Sequence, residues 1–325
     1  MLYNLVALSE LWPTPTPSRQ TLESMFNATF FGIDMSTMVP LYCLASGANS
    51  SKESGCDTEP TNPTKFQFRY PVDKYYDQPI EIPTNTNVLL LSGLLDAQIP
   101  PKYALYQLDS LVGDNKLLLE FPAGHGVIAT ACGLSVFGDF VNRGSLQGLD
   151  ASCVADLKTR FATNPQLDAL LWSTKSGDIF DGEFKQPKYE SSYNEPSYTW
   201  KHVAIAGLCS MLAAYSTTSA VTDVSKLISL LDKGKESSVY GVSYGSYLVE
   251  RLMQLANPQI KGYILDGVVS QSGSTRKQKL SFADWDVNMN EVGEVFLNQW
   301  KTYSGRPRQF TAAMMTATLT DLDKD

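Results

Sequence analysis

Apolar positions along the chain fall into short continuous runs that alternate with longer amphipathic stretches. Asn87–Leu91 is a purely apolar run after its first residue and is bounded by turn residues, the pattern of a strand buried on both faces of a parallel sheet. Pro101–Val112 reads as a helix with proline in its first turn, Lys116–Phe121 as a second strand, and Thr130–Asn142 as a second helix ended by Gly144. From about Lys158 to Trp200 the chain is polar, aromatic and dotted with proline, which predicts a linker or a surface-wrapping tail. The alternation then returns: an amphipathic helix over Asp223–Leu231, a strand over Ser238–Val242, a helix over Tyr247–Leu255 and a strand over Tyr263–Val269. Phe282–Asp325 reads as mostly helical. Near the start, Thr-Pro-Thr-Pro-Ser at 14–18 breaks the chain before a helix from about Arg19 to Ala28, and residues 45–65 read as a loop. Strand and helix taking turns in this way predict an α/β fold on a parallel sheet.

Composition narrows the function classes. The chain has 325 residues, 43% of them hydrophobic and 18% charged, which suits one large or two ordinary globular domains. A net charge of −8 with no basic stripe argues against a nucleic-acid partner. Five cysteines without a CxxC pair, and two histidines in all, argue against a zinc site. Local pairing would join Cys43 to Cys56 and Cys132 to Cys153, leaving Cys209 single. Glycosylation sequons start at Asn27 and Asn49. Pairings and sequons together suit a secretory history, while reduced buried thiols and chance sequons are the plainer alternative; the residues leave both open. Met1–Trp12 lacks a basic start and is interrupted by Glu10, so it makes a poor signal peptide. The best apolar run, Val203–Tyr215, is too short to span a bilayer. It has the look of a signal-peptide core in the wrong place, and is better read as a buried helix.

One motif carries chemistry. Gly241-Val242-Ser243-Tyr244-Gly245 matches G-x-S-x-G between an expected strand and an expected helix. In that context the serine sits on a tight turn, its hydroxyl stands above the sheet edge, and the Tyr244 N–H can donate to a tetrahedral oxyanion. A serine needs a base. His125 lies in the glycine-flanked loop Ala123-Gly124-His125-Gly126 directly after a strand, whereas His202 lies beside Trp200 in a polar-to-apolar transition, so His125 is the expected base. The base needs an orienting carboxylate. Asp96, just past the end of the strand before the histidine loop, is the expected acid, and Asp266 is its rival.

With these residues in place, the chain resembles the tripeptidyl-aminopeptidase-like branch of the proline-iminopeptidase type of serine peptidases, in the α/β-hydrolase superfamily. Three blocks carry the resemblance: Val239–Gly245 through Leu265-Asp266-Gly267; Leu91-Ser92-Gly93 with Asp96 and Pro100; and Gly124-His125-Gly126 with Cys132, Gly144-Ser145-Leu146 and Asp150-Ala151-Ser152-Cys153. The resemblance implies a Cys132–Cys153 disulfide, a helical cap drawn from residues 19–44 and 282–325, no cofactor, and an exopeptidase that cleaves small peptide substrates through an acyl-enzyme. An esterase or lipase of the same fold, acting on small esters, carries the same triad. In the family the order is serine, aspartate, histidine; here Asp96 and His125 precede Ser243. The expected architecture is therefore an incomplete, circularly permuted α/β-hydrolase-like parallel sheet with a helical cap. Its parts are a cap portion (1–80), a C-terminal hydrolase portion bearing acid and base (81–157), a linker (158–215), the nucleophile portion (216–281) and a second cap portion (282–325). Fusion of tandem gene copies would produce such an order.

Two expectations follow from what is missing. Ser238–Val242 should lie at an exposed sheet edge with an uncovered apolar face, open to self-association. No Gly-Gly-Pro-Gly or His-Gly-Gly run supplies a second oxyanion donor, and losing one costs about 10²–10³ in turnover. Impaired activity, or an inactive remnant acting as a binding protein, is the rival expectation. The resemblance implies a secretory-pathway parent family and leaves the localisation of this chain open.

Overall fold

A computed structural model describes residues 2–60, 67–159, 212–273 and 275–303. In chain order the elements are helix α1 (Leu2–Val6), which runs on as a π-turn over Ala7–Leu11, α2 (Arg19–Asn27), α3 (Met38–Ala45), strand β1 (Asn87–Gly93), α4 (Pro101–Ser110), β2 (Lys116–Phe121), α5 (Ala131–Arg143), the single turn α6 (Ser152–Ala155), α7 (Thr217–Leu231), β3 (Ser237–Val242), α8 (Tyr244–Met253), β4 (Ile260–Asp266) and α9 (Trp285–Tyr303). The four strands form one sheet in the order β2-β1-β4-β3, and every neighbouring pair is parallel. The α/β class expected from the alternating pattern is therefore present.

The apolar runs are continuous because both faces of the sheet are covered. Val88, Leu90, Tyr263 and Leu265 point to one side, where Ala104 of α4, Val221 of α7 and Val249 and Leu252 of α8 pack on them. Leu89, Leu91 and Ile264 point to the other, against Val136 and Phe140 of α5. Each fully buried side chain of this size contributes about 1.5–3 kcal/mol by leaving water. Strand β3 lies at the sheet edge among the described residues, as expected. Its apolar residues are partly covered: Val239 packs against the cluster under α8, Tyr240 meets Phe137 of α5 edge-on at 5.5 Å, and Val242 is exposed.

A third cluster packs residues from the start of the chain and the Leu280–Ala283 segment onto α4 and α8. Leu8, Leu11, Trp12, Leu22, Val39 and Tyr42 pack with Ile99, Tyr103, Tyr247, Val269, Leu280 and Phe282. Polar contacts fix the same junction. The Asp286 carboxylate of α9 accepts from the Ile33 and Met35 N–H groups, and the Tyr103 hydroxyl meets Asn288. Disulfides Cys43–Cys56 and Cys132–Cys153 are both present; the first closes the loop after α3, the second ties α5 to α6. They point to an oxidising environment. No helix among the described residues is long and apolar enough to cross a membrane.

Several element boundaries differ from expectation. Helix α7 starts at Thr217, six residues earlier than expected, because the Ser216 hydroxyl caps the Ser219 N–H. Helix α8 starts at Tyr244, directly after the serine. Strand β4 runs from Ile260 and stops at Asp266, where Gly267 turns to φ +55°. Linker residues 160–211, most of the Val203–Tyr215 run, His202, Cys209 and residues 304–325 lie outside the described residues.

Candidate active site

Parallel strands bring their C-terminal ends to one edge, and the three loops of interest leave from that edge. Ser243 joins β3 directly to α8. Its backbone is held at φ 56° and ψ −127°, a conformation costly for any residue with a Cβ. Its N–H donates to the Asp266 carbonyl (2.9 Å), its carbonyl accepts from the Ser246 hydroxyl (2.7 Å), and Ser246 in turn accepts from the Val269 N–H (2.8 Å). The turn is thus fastened to the end of β4. Gly241 is needed for space: a Cβ there would overlap the Gly245 carbonyl and come within 2.8 Å of Val249, whereas Gly245 itself has open room around it. Tyr244, the expected oxyanion donor, is the first residue of α8, where backbone N–H groups have no intrahelical partner. Its side chain points elsewhere, with its hydroxyl 2.9 Å from that of Thr217.

The expected acid and base meet. His125 Nδ1 lies 2.8 Å from Asp96 Oδ2. Asp96 is fully buried, and its other oxygen accepts from the Gln98 and Ile99 N–H groups (3.0 and 2.9 Å), so its orientation is fixed before the histidine arrives. The imidazole remains partly exposed. Its pKa is raised above the ordinary histidine value: the hydrogen bond to Asp96 is the largest cause, burial opposes it, and the negative charges of Asp96 and Asp266 add to the rise. The pair sits over Gly267, where an added Cβ would come within 2.9 Å of His125 Cε1 and 3.3 Å of Asp96 Oδ2.

The rival acid has other partners. Asp266 accepts from the Val127 and Ile128 N–H groups (3.0 and 3.2 Å) and from the Tyr240 hydroxyl (3.0 Å), and His125 Nδ1 bonds Asp96 instead. The histidine loop also approaches β3, since a Cβ on Gly126 would lie 4.0 Å from Val242 Cγ2. The Ser243 hydroxyl makes no hydrogen bond among the described residues; such contacts often close only when substrate is bound.

Sequence reasoning missed Glu10, which it took only as a break in an apolar run. The side chain is buried and accepts from the Tyr70 and Tyr247 hydroxyls (2.5 and 2.7 Å) and the Thr217 N–H, with the buried Arg251 guanidinium 3.8 Å away. Burial and the Glu10 charge push the hydroxyl pKa values of Tyr70 and Tyr247 up. The usable signal was the single acid inside an otherwise apolar helix: such a charge is buried only where partners await it. A cavity of about 680 Å³ opens beside it, lined by Glu10, Trp12, Tyr70, Tyr76, Gln271 and Arg276 among others, and by none of Ser243, Asp96 or His125. No group of three or more histidine, cysteine or acidic side chains among the described residues could hold a metal ion. Compared with protein-family models, with curated proteins and with solved structures, the chain matches none.

Proposed function

We propose that the chain is a serine hydrolase in which Ser243 attacks a carbonyl carbon, His125 takes the hydroxyl proton and later delivers it to the leaving group, and Asp96 orients and supports the imidazolium. The Tyr244 N–H is the proposed donor to the oxyanion. One observation carries the reading: a serine strained on a strand-to-helix turn shares a sheet edge with a buried aspartate hydrogen-bonded to a histidine. Strained backbone of this kind clusters at functional sites. Exopeptidase chemistry on small peptides is the proposed activity, with hydrolysis of small esters by the same groups as the alternative. The resemblance to a permuted α/β-hydrolase, with residues 1–80 and 282–325 as cap, belongs to the same proposal. An inactive binding protein is the second reading, favoured by a Ser243 hydroxyl that makes no hydrogen bond among the described residues and by the place of β3 at the sheet edge among them; self-association through that edge goes with it.

Labelling of the purified chain with a fluorophosphonate, with the modified peptide mapped by mass spectrometry, tests the proposal. Labelling at Ser243, lost in Ser243→Ala and in His125→Ala, is the expected result. A folded protein that takes up no label would overturn the hydrolase reading and leave the binding protein.

A further inference from the structure

We propose that Asp266 is a positioning residue of this site, a buried carboxylate that pins the histidine loop to the nucleophile strand. The inference rests on the hydrolase reading for its purpose, but on its own contacts for its geometry. Asp266 is the last residue of β4, which lies between β1, whose loop brings Asp96, and β3, which ends at Ser243. Its side chain is fully buried. Oδ1 accepts from the Val127 N–H at 3.0 Å; Oδ2 accepts from the Ile128 N–H at 3.2 Å and the Tyr240 hydroxyl at 3.0 Å. Val127 and Ile128 follow His125 by two and three residues. Tyr240 precedes Ser243 by three, and Phe137 holds its ring edge-on. The main chain of Asp266 completes the link by accepting the Ser243 N–H. One residue thus touches the base loop twice and the elbow strand twice, without touching His125 Nδ1 or the Ser243 hydroxyl.

The chemistry of the three donors calls for a carboxylate. All three side-chain contacts are donors, so the partner must be acceptor on both oxygens. Asparagine has the same shape but would set an amide NH₂ against at least one N–H, leaving buried donors facing each other. A buried charge is tolerable here because three hydrogen bonds replace its water. The charge has a second effect. His125 is faced by Asp96 from the β1–α4 loop and by Asp266 from β4, with the neutral Tyr240 phenol behind Asp266. Both carboxylates favour the imidazolium that forms when the serine gives up its proton.

The test uses the full chain and Asp266→Asn, with Tyr240→Phe as a milder variant that removes one donor and keeps the charge. Imidazole titration by NMR, with His125 assigned by comparison with His202→Gln, should show His125 titrating at lower pH in Asp266→Asn than in wild type. Hydrogen exchange at the Val127 and Ile128 amides should quicken in both variants. Fluorophosphonate labelling should slow by roughly 100-fold in Asp266→Asn, the scale of a catalytic group displaced by about 1 Å. A folded Asp266→Asn with unchanged His125 titration and unchanged exchange at Val127 and Ile128 overturns the proposal. If Asp266→Asn does not fold, Tyr240→Phe decides: unchanged exchange at those amides overturns it. Wild-type protein that takes no label, yet shows these shifts on substitution, would sink the hydrolase reading while leaving Asp266 as the residue that holds the histidine loop.

Discussion

Replacing the proposed nucleophile with glycine should make the protein more stable while abolishing its reactivity. Ser243 sits at φ 56° and ψ −127°. For a residue with a Cβ, sparsely populated conformations of this kind cost about 1–3 kcal/mol. Glycine has no Cβ and adopts them freely, but it gives up more freedom on folding, worth about 0.5–1 kcal/mol. The Ser243 hydroxyl makes no hydrogen bond among the described residues, so its removal forfeits little. The balance is a gain of about 0.5–2 kcal/mol for Ser243→Gly. Ser243→Ala also loses the hydroxyl but keeps the Cβ and therefore the strain, so it should stay near wild type. The difference between the two variants isolates the backbone term. Urea unfolding followed by tryptophan fluorescence measures it: the midpoint for Ser243→Gly should lie above that for Ser243→Ala, with equal slopes. Both should fail to label with fluorophosphonate. A glycine variant no more stable than the alanine variant would refute the claim that the turn is strained.

Two further outcomes are expected. Gly267→Ala places a Cβ 2.9 Å from His125 Cε1 at a residue with φ +55°; it should slow labelling sharply by moving the imidazole off Asp96, while costing about 1 kcal/mol of stability in the same urea assay. Because Asp96 raises the His125 pKa, the labelling rate should climb with pH through a midpoint above the ordinary value of about 6.5. Asp96→Asn should lower that midpoint and cut the rate by roughly 10⁴-fold. The sign carries over to stability: a histidine with a raised folded-state pKa stabilises the fold fully below its unfolded value, and this contribution fades as pH rises through the raised one.

Much of this was legible because burial on two faces leaves a plain trace in sequence. Strand β2 runs over Lys116–Phe121 as expected, and β1 extends the expected Asn87–Leu91 by two residues, since Ser92 and Gly93 keep pairing with Glu120 and Phe121. Asp96, His125 and Ser243 stood out as candidates because each follows a strand end, where a parallel sheet gathers its loops. What sequence could not provide was partnership across long separations. Asp266 read as a second candidate acid because any aspartate at a strand end looks alike; only its distances to Val127, Ile128 and Tyr240 distinguish a tether from a triad member. Glu10 read as a flaw in an apolar run because the tyrosines that donate to it lie 60 and 237 residues away. The early start of α7 was hidden for a different reason: Thr217, Thr218 and Ser219 are weak helix formers, and the cap at Ser216 outweighs them.

The order of the three residues along the chain matters less than the order of their strands across the sheet. The proposed base, acid and nucleophile follow β2, β1 and β3, while β4 supplies none of the three and yet lies between Asp96 and Ser243. Neighbouring strands are about 4.8 Å apart, so β2 and β3, three spacings apart, are separated by about 14 Å. A histidine only four residues beyond β2 must therefore cross the ends of β1 and β4 to serve a serine on β3. The contacts trace that crossing step by step: His125 on Asp96 past β1, His125 over Gly267 past β4, Val127 and Ile128 on Asp266, and Gly126 toward Val242. Any connectivity that preserves this strand order and these loop exits would build the same edge, because the sheet supplies the spacing and the loops supply the reach.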